Sequence, residues 1–592
     1  MQCDLLVIGS GAGGLSAAVT AATLGLKVIV VEKESQFGGT TAWSGGWMWV
    51  PRNALARAAG IDEEIDAPLA YLRNELGERF DPARALTYLE HAPHMVDFFQ
   101  TQTALRFVDG NTMADMHGKS VGAAVGGRSV CAAPFDGRRL GNRIKELKAP
   151  LDVLTLWGMN IASGADMRHF YNGMHSFASF SHVCRRLIRH TMDCLQYGRG
   201  MHLVNGNALV AGLMRSALDA GVDMRVSSPA LSLLTANDTT SKWDTHAAAG
   251  QVAKGRARTA SGGDPTGRRV LGAMIGNRNG PIEIRASRGV VLACGGFPHD
   301  VARIRALLPH APDGTEHWSA GARGNTGDGL RLGESAGAVV SDNLAENAAL
   351  APVSLVPAAH GGVRHFPHLL ERGKPGLIAV TRGGKRFTNE ADPYHDFVRD
   401  LIAVTPKDLP VEAWMVVDHR FIRRYGLGAV KPSPMPIGRF IRNGYLKRGV
   451  TVPALAHACG IDSDTLSRTV EAYNHQAEIG KDSAFGKGET PYNRGLGDPG
   501  NALPNPCMAP LNRGPYYAVR VVPGSLGTFA GLRTTLTAQV VDAHGTAIDG
   551  LYACGNDMSS MMEGFYPSGG ITLGPAMTFG YLAAHHAAGL AP

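Results

Sequence analysis

Hydrophobic and polar positions divide the chain into a beginning, a middle and an end of different character. Asp4 to Ile8 form an apolar run without polar alternation, the pattern of a parallel strand buried on both faces. Gly9-Ser10-Gly11-Ala12-Gly13-Gly14 follows, and the Ala-rich stretch Leu15 to Leu24 predicts a helix closed by Gly25. Leu26 to Val31 predicts a second buried strand, ending on Glu32. Helical patterning recurs over Asp81 to Leu105 and over the amphipathic stretch Asn207 to Ala220, with a strand predicted at Val222 to Val226. Cys131 to Arg199 mixes Met, Phe and Trp with basic residues at Arg185, Arg186 and Arg189; it reads as an inserted helical subdomain, with a lid or surface-docking element as the alternative. Ala236 to Arg268 turns polar and rich in Gly and Thr, as an exposed extension does. A strand at Gly289 to Ala293 then runs into Cys294-Gly295-Gly296-Phe297. Between Glu316 and Pro523 the pattern changes, and most Tyr, His and Arg residues suited to meeting a small molecule lie there. Strand and glycine turn return at Gly550-Leu551-Tyr552-Ala553-Cys554-Gly555-Asn556, before a last helix from about Thr572 to Ala588.

Composition narrows the class. A chain of 592 residues is too long for one ordinary core, so two domains of unequal size are expected. Hydrophobic residues at 44% and charged residues at 18% are globular proportions. The net charge of +7 is mild and no long Lys/Arg run occurs, which argues against a nucleic-acid partner and leaves a modest attraction to anionic surfaces. Eight cysteines without a CxxC pair read as reduced, mostly buried thiols of a cytoplasmic protein. No charged leader opens the sequence, and no apolar run reaches the roughly 20 residues of a spanning helix, so membrane association is expected to be at most peripheral.

The candidate chemistry starts at the glycines. Gly9 permits a tight turn, Gly11 lets backbone N–H groups approach a pyrophosphate, and Gly14 lets helix and strand pack closely. The helix N-terminus adds partial positive charge, and Glu32, about 20 residues on, suits ribose hydroxyls. Two further features separate FAD from NAD. Phe37-Gly38-Gly39-Thr40-Thr41-Ala42-Trp43-Ser44-Gly45-Gly46 offers bare backbone and hydroxyls as a wall for pyrophosphate and flavin ring, and the C-terminal Gly555-Asn556-Asp557 rejoins the N-terminal fold. Expected FAD contacts are Gly9, Ser10, Gly11, Ala12, Gly13, Gly14, Glu32, Lys33, Gly39, Thr40, Thr41, Ser44, Gly45, Gly46, Ala230, Ala293, Gly295, Gly555, Asn556, Asp557 and Ile571. No metal site is expected: His360, His365 and His368 read as surface or cavity-lip residues.

With these motifs the chain resembles the fumarate reductase/succinate dehydrogenase flavoprotein superfamily. Ala293-Cys294-Gly295-Gly296 resembles that family's second FAD motif, and Gly383-Gly384-Lys385-Arg386-Phe387-Thr388-Asn389-Glu390 its signature entering the substrate domain. The fold so implied is α/β: a discontinuous Rossmann-type FAD-binding domain (1–315 and 524–592) with an inserted α+β substrate/catalytic domain (316–523). Thr40 and Thr41 stand where covalent-flavin members carry His, which implies non-covalent FAD. Without a second GxGxxG on a strand, electrons are expected to pass to an external acceptor, a quinone or an electron-transfer protein. Gly327-Asp328-Gly329 reads as a turn.

Met561-Met562-Glu563-Gly564-Phe565-Tyr566-Pro567-Ser568-Gly569-Gly570 lacks the cations that hold dicarboxylates in fumarate enzymes. It resembles 3-ketosteroid dehydrogenases instead. That resemblance implies that Tyr566 O–H and Gly570 N–H polarise a ketone oxygen, that Tyr394 removes the neighbouring proton, and that hydride passes to flavin N5. The substrate so implied is an apolar cyclic ketone, a 3-ketosteroid above all. Met116 stands where Δ1-dehydrogenases carry a second Tyr, whereas Ser568 resembles the Δ4-(5α) enzymes; both bonds stay open at this point. An ene-reductase acting on an unsaturated acid or ketone is the second reading.

Overall fold

The computed structural model describes residues 1–174, 176–236, 269–358 and 361–591. Its first strand, Gln2–Ile8, is flanked by parallel partners from distant parts of the chain. Residues 5–8 pair with 28–31 on one side and with 289–292 on the other. The strand Ile282–Leu292 pairs in turn with Ala547–Ala553, Val290 opposite Leu551, and Asp223–Arg225 extends the other edge beside Val28–Val31. The C-terminus thus completes a sheet that the N-terminus starts. Leu5, Leu6, Val7, Val30, Val290, Val291 and Leu551 are fully buried, as a sheet covered on both faces requires. Each such side chain contributes roughly 1.5–3 kcal/mol of transfer free energy.

Small residues bring the chain ends together. The helix Ala12–Thr23 packs on the last helix, Leu573–Ala588, so closely that a Cβ on Gly580 would sit 2.4 Å from the Gly13 carbonyl oxygen. Ser16 Oγ donates to the Met577 carbonyl at 2.7 Å across the same contact.

The insertion is helical over much of its length but opens differently. Its first part is a strand, Ser129–Ala132, lying between Trp47–Trp49 and Phe107–Asp109; its α-helices are Ala165–Tyr171 and Phe177–Tyr197. The Val130-Cys131 pair is buried on both faces and Pro134 follows, which suits an extended segment better than a helix. The polar extension falls on residues 237–268, outside the described residues; the strands Ala230–Thr235 and Val270–Ile275 on either side of it pair antiparallel. The helix Asp328–Ser335 starts directly after Gly327, at φ +78°, in keeping with a turn.

The middle of the chain builds an antiparallel sheet in the order Val363–Pro367, Ala348–Pro357, Tyr516–Thr528, Ala413–Val417, Leu377–Val380, with Lys447–Gly449 beside Tyr516–Thr528. The Arg386-to-Glu390 segment enters it through a buried charge cluster. Glu390 accepts from Arg386 Nε at 2.7 Å and Nη2 at 2.8 Å, and Lys487 Nζ lies 3.2 Å away. Arg386 also reaches Asp482 at 2.8 Å. Burial raises the Glu390 carboxyl, but Arg386 and Lys487 outweigh it and hold it down at about 2.

A carboxyl depressed from 4.5 to about 2 contributes stability that is present above the higher value and lost as pH falls through the lower one. Glu390→Gln leaves buried Lys487 without a carboxylate and Arg386 with Asp482 alone, and we expect it to cost about 3–5 kcal/mol in denaturant unfolding at neutral pH. It is also expected to flatten the acid side of the stability profile below pH 4.5. An unaltered acid midpoint in the variant would contradict the assignment.

Candidate active site

One cavity of about 1550 Å³ runs from the first glycine turn to the C-terminal Tyr566 segment. It exceeds the roughly 300–1,000 Å³ of a single small-molecule pocket, which leaves room for a cofactor and a second molecule. At its N-terminal end the glycines divide into two kinds. Gly9 (φ +108°) has the Ala293 carbonyl oxygen 2.1 Å from where a Cβ would stand, and at Gly14 the Gly9 carbonyl lies at 2.3 Å. At Gly13 the nearest atom is Cys554 Sγ, at 2.9 Å. These three hold protein against protein. Gly11, the N-cap of the first helix, has ordinary extended backbone, and its Cβ would meet only Thr41 Oγ1 at 3.4 Å. The space before it is the cavity, a cradle at a helix N-terminus that fits a diphosphate.

Around the cradle, Glu32 Oε2 accepts from Ser10 Oγ at 2.5 Å and Oε1 from the Glu34 N–H at 3.0 Å. Burial lifts its carboxyl above the usual range against those bonds. Thr41 Oγ1 accepts from the Ala12 N–H at 3.0 Å, and Thr40 Oγ1 from the Ala322 N–H at 2.9 Å and Asn325 Nδ2 at 3.0 Å. Lys33 lines the cavity with its ammonium committed to Asp328 and Thr326. Gly39, Ser44, Gly45, Gly46, Ala230, Ala293, Gly295, Gly555 and Asn556 also line it. Asp557, Ile571 and Gly14 sit behind the wall. Asp557 accepts from the Cys294 N–H at 2.5 Å and the Gly296 N–H at 2.9 Å, so it shapes the Cys294-Gly295-Gly296 turn; burial lifts its carboxyl to about 6.

At the other end, Tyr394, Tyr566 and Gly570 come together. The Tyr394 and Tyr566 rings meet edge to face at 4.9 Å, and both are buried. Pro567 anchors the Tyr566 segment by accepting from Tyr71 Oη at 2.5 Å and from the Met116 N–H at 3.1 Å. Gly570 (φ +97°) has Met48 Cα 2.6 Å from where a Cβ would stand. Its carbonyl serves the Trp49 and Gly574 amides, while its own N–H is taken up by no group among the described residues. Tyr394 opens the helix Tyr394–Val404, so its phenol lies at the positive end of the helix dipole. Burial raises both phenols; the Tyr566 hydroxyl interacts with Tyr394 and Thr572, which lowers it in part. Met116 lines the same wall. Ser568 does not: it is buried and turned to Asp115, which also accepts from Arg128 Nη1 at 2.7 Å and Trp49 Nε1 at 2.8 Å. Glu563 also lies off the cavity, in the field of Arg84 and Arg79. His365 Nδ1 donates to the Ser319 carbonyl at 2.5 Å, His368 joins Glu371 and Ser354, and His360 lies outside the described residues.

Two residues here carry no sequence signal. Tyr492, on the short helix Pro491–Leu496, adds a further phenol beside Tyr394 and Tyr566. Arg372 is fully buried beneath the Tyr394 turn and donates to the carbonyls of Glu390 at 2.7 Å, Asp392 at 3.0 Å and His368 at 2.9 Å. Among the described residues it has no carboxylate at ion-pair distance. The insertion closes the cavity from outside: Phe180, Val183, Cys184 and Leu187 of its long helix form wall, while Phe177, Ile188, Met192 and Leu195 face solvent.

The family model for the FAD binding domain matches residues 4–573. The chain belongs to this flavoprotein family. Within it, the 3-ketosteroid dehydrogenase-like branch is the one to which it is most plainly similar. It is 34% identical to a 3-oxosteroid 1-dehydrogenase of Mycobacterium tuberculosis over 99% of this chain and 98% of that one. It is 38% identical to a 4-oxocyclohex-2-ene-1-carboxylate 5-dehydrogenase of Sinomonas cyclohexanicum, over 100% and 94%. The crystal structure of the 3-ketosteroid Δ1-dehydrogenase of Sterolibacterium denitrificans, in complex with 1,4-androstadiene-3,17-dione, superposes with a TM-score of 0.87 at 33% identity, covering 99% of both chains. The protein is therefore an FAD-dependent oxidoreductase acting on CH–CH groups. No helix among the described residues is long and apolar enough to cross a membrane.

Gly11→Ala separates cofactor binding from folding. The added methyl finds no protein atom closer than 3.4 Å, yet it stands in the cradle. The variant is expected to keep the apoprotein's unfolding midpoint and to bind FAD about tenfold or more weakly, a loss of about 1.4 kcal/mol or more. Equal FAD affinity in a titration by flavin fluorescence would contradict the cradle.

Proposed function

We propose that this protein desaturates an apolar cyclic ketone next to its carbonyl, a 3-ketosteroid of the Δ1 type being the leading substrate. The observation that carries the reading is the meeting of Tyr394, Tyr566 and the free Gly570 N–H on one wall of a cavity lined largely by apolar side chains. The similar proteins named above, dehydrogenases of cyclic oxo compounds, support it. Tyr566 O–H and Gly570 N–H hold the ketone oxygen, and charge developing there acidifies the adjacent C–H. Tyr394 takes that proton. Its burial, with Tyr566 and Tyr492 adjacent, opposes the phenolate; Arg372 and the helix N-terminus favour it. FAD, when bound, supplies the hydride acceptor. With no His in the glycine-rich wall, where Thr40 and Thr41 already serve backbone amides, the flavin is held without a covalent bond.

Ser568, engaged with buried Asp115 instead of the cavity, favours the Δ1 over the Δ4-(5α) reading. The reverse reaction, reduction of an unsaturated ketone or acid, uses the same residues and is the second reading. With no second dinucleotide turn in the sequence, electrons leave through an external acceptor, a quinone or an electron-transfer protein.

Anaerobic addition of a 3-ketosteroid saturated at C1–C2 is expected to bleach the flavin without NAD(P)H and to yield the Δ1 product by mass spectrometry and NMR. Tyr566→Phe and Tyr394→Phe should each slow bleaching by about 10²–10³-fold with FAD still bound. Arg372→Met removes a cation that favours the phenolate, so the limb where rate rises with pH should move to higher pH. Acid precipitation should release the colour. Intact flavin that no cyclic ketone bleaches would sink the dehydrogenase reading in favour of the reductase.

A further inference from the structure

A second cavity, of about 240 Å³, lies in the insertion against the long helix Phe177–Tyr197. The ketone chemistry does not use it. Spacing along the helix builds one wall: Arg186, Arg189, His190 and Asp193 stand at positions i, i+3, i+4 and i+7, on one face. Gly198 ends the helix in the left-handed region, at φ +75°, and the chain doubles back to bring Arg199, Gly200 and His202 to the same space. The approach is close: a Cβ on Gly200 would stand 2.6 Å from His190 Nδ1. Trp157 and Asn160 form a third side, and both also line the large cavity.

Charge in this space is not balanced within the protein. Arg186, Arg189 and Arg199 line it with one acid, Asp193. Asp193 is already committed, accepting from Arg138 Nη2 at 2.7 Å and the Met201 N–H at 3.0 Å. Arg186 donates to the Asn160 carbonyl at 2.9 Å and lies 3.4 Å from Asp166, which His182 shares at 2.6 Å. Arg199 is served by two carbonyls, those of Ile144 at 3.1 Å and Leu147 at 2.9 Å. Among the described residues neither Arg199 nor Arg189 has a carboxylate at ion-pair distance. Burial lowers His202 to about 4; Arg186 and Arg189 push the same way, against smaller opposite effects of Asp166 and Asp193. Both arginines therefore act on one imidazole of the wall, and the field there is positive.

A half-buried guanidinium without a counter-ion has lost hydration that a bound anion would replace. Its planar fork matches phosphate oxygens with paired, charge-assisted N–H···O bonds. The cavity is smaller than the roughly 300–1,000 Å³ of a pocket for a whole small molecule, which suits a single anionic group near every wall.

We propose that Arg186, Arg189 and Arg199 form a binding site for a phosphate group. The group belongs either to a soluble phosphate or to a phospholipid headgroup; for the second source, Ile188, Met192 and Leu195 lie exposed on the same helix. Occupancy ties this helix, whose Phe180, Val183 and Leu187 wall the large cavity, to the returning Arg199–His202 segment.

The test uses the FAD-loaded full chain at constant ionic strength set with chloride, since salt screens exposed charge. One arm is calorimetric titration with inorganic phosphate. The other is co-sedimentation with phosphatidylcholine vesicles carrying or lacking phosphatidic acid. Saturable binding is expected in at least one arm, and that arm names the source. There Arg189→Met and Arg199→Met should each raise Kd by about tenfold or more, and Arg189→Lys by less. Arg189 is exposed, so its variants keep the fold even where Arg199→Met does not, which retained flavin absorbance reports. Arg185→Met removes an exposed charge from the same helix outside the cavity and should raise Kd much less. Binding in neither arm would overturn the proposal. So would a loss in Arg185→Met as large as in Arg189→Met, the mark of diffuse surface attraction, or a Kd unchanged in both Arg189→Met and Arg199→Met.

Discussion

A carbonyl oxygen occupies the place where any residue other than glycine at position 9 would put its side chain. The Ala293 oxygen lies 2.1 Å from that point, and the Gly9 oxygen stands 2.3 Å from the equivalent point on Gly14. Three backbone segments are thereby pressed together with no side chain between them: the end of the first strand, the start of the first helix and the end of the strand Ile282–Leu292. Asp557, from the far end of the chain, then ties the Cys294 and Gly296 amides in place. The cradle before Gly11 exists because its neighbours leave no other room, and the cavity wall at Tyr566 is carried on the same framework through Gly570 and Met48.

The other end of the cavity is governed by where charge is allowed. A phenol buried as deeply as Tyr394 resists ionisation, and the rest of the site is organised against that resistance. A helix begins at the residue itself, and a guanidinium without a carboxylate partner lies beneath its turn, pinned to three carbonyls. Close by, Met116 is as apolar as the wall around it, and Tyr492 brings a hydroxyl from an unrelated helix.

How much of this could be read in advance depended on locality. The first strand, turn, helix and second strand are legible because their signals are adjacent: an apolar run, spaced glycines, an Ala-rich stretch and Glu32. The observed bounds differ from the predicted ones by a few residues, as caps allow. Tyr394 and Tyr566 lie in motifs, and the structure sets them side by side. Facing within a glycine-rich turn was not legible, because spacing does not say which side chain turns inward. Ser568 and Ile571 bracket Gly570 yet both lie behind the wall. Arg372 and Tyr492 belong to no pattern; only tertiary packing brings Tyr492 to the cavity and Arg372 beneath the Tyr394 turn. The stretch from Cys131 to Arg199 reads as a helical insertion and holds the helices Ala165–Tyr171 and Phe177–Tyr197; only its first residues, Cys131 and Ala132, finish a strand whose pairing lies with distant segments.

The pairing of residues 290–292 with 551–553 has a consequence for how the protein is made. A chain emerging from the ribosome presents Gly9 to Gly14 within its first few turns of synthesis, but Cys554, Gly555, Asn556 and Gly570 complete the same cavity. Domains tend to fold in the order they appear, and here the first to appear lacks the strand beside Ile282–Leu292 and its covering helix until residues 547–588 are made. Flavin loading therefore reports on a chain that has reached these late residues. Premature termination before the strand Ala547–Ala553 leaves a chain whose apolar sheet edge at Ile282–Leu292 is open and unpaired, the kind of surface that quality-control chaperones and proteases recognise.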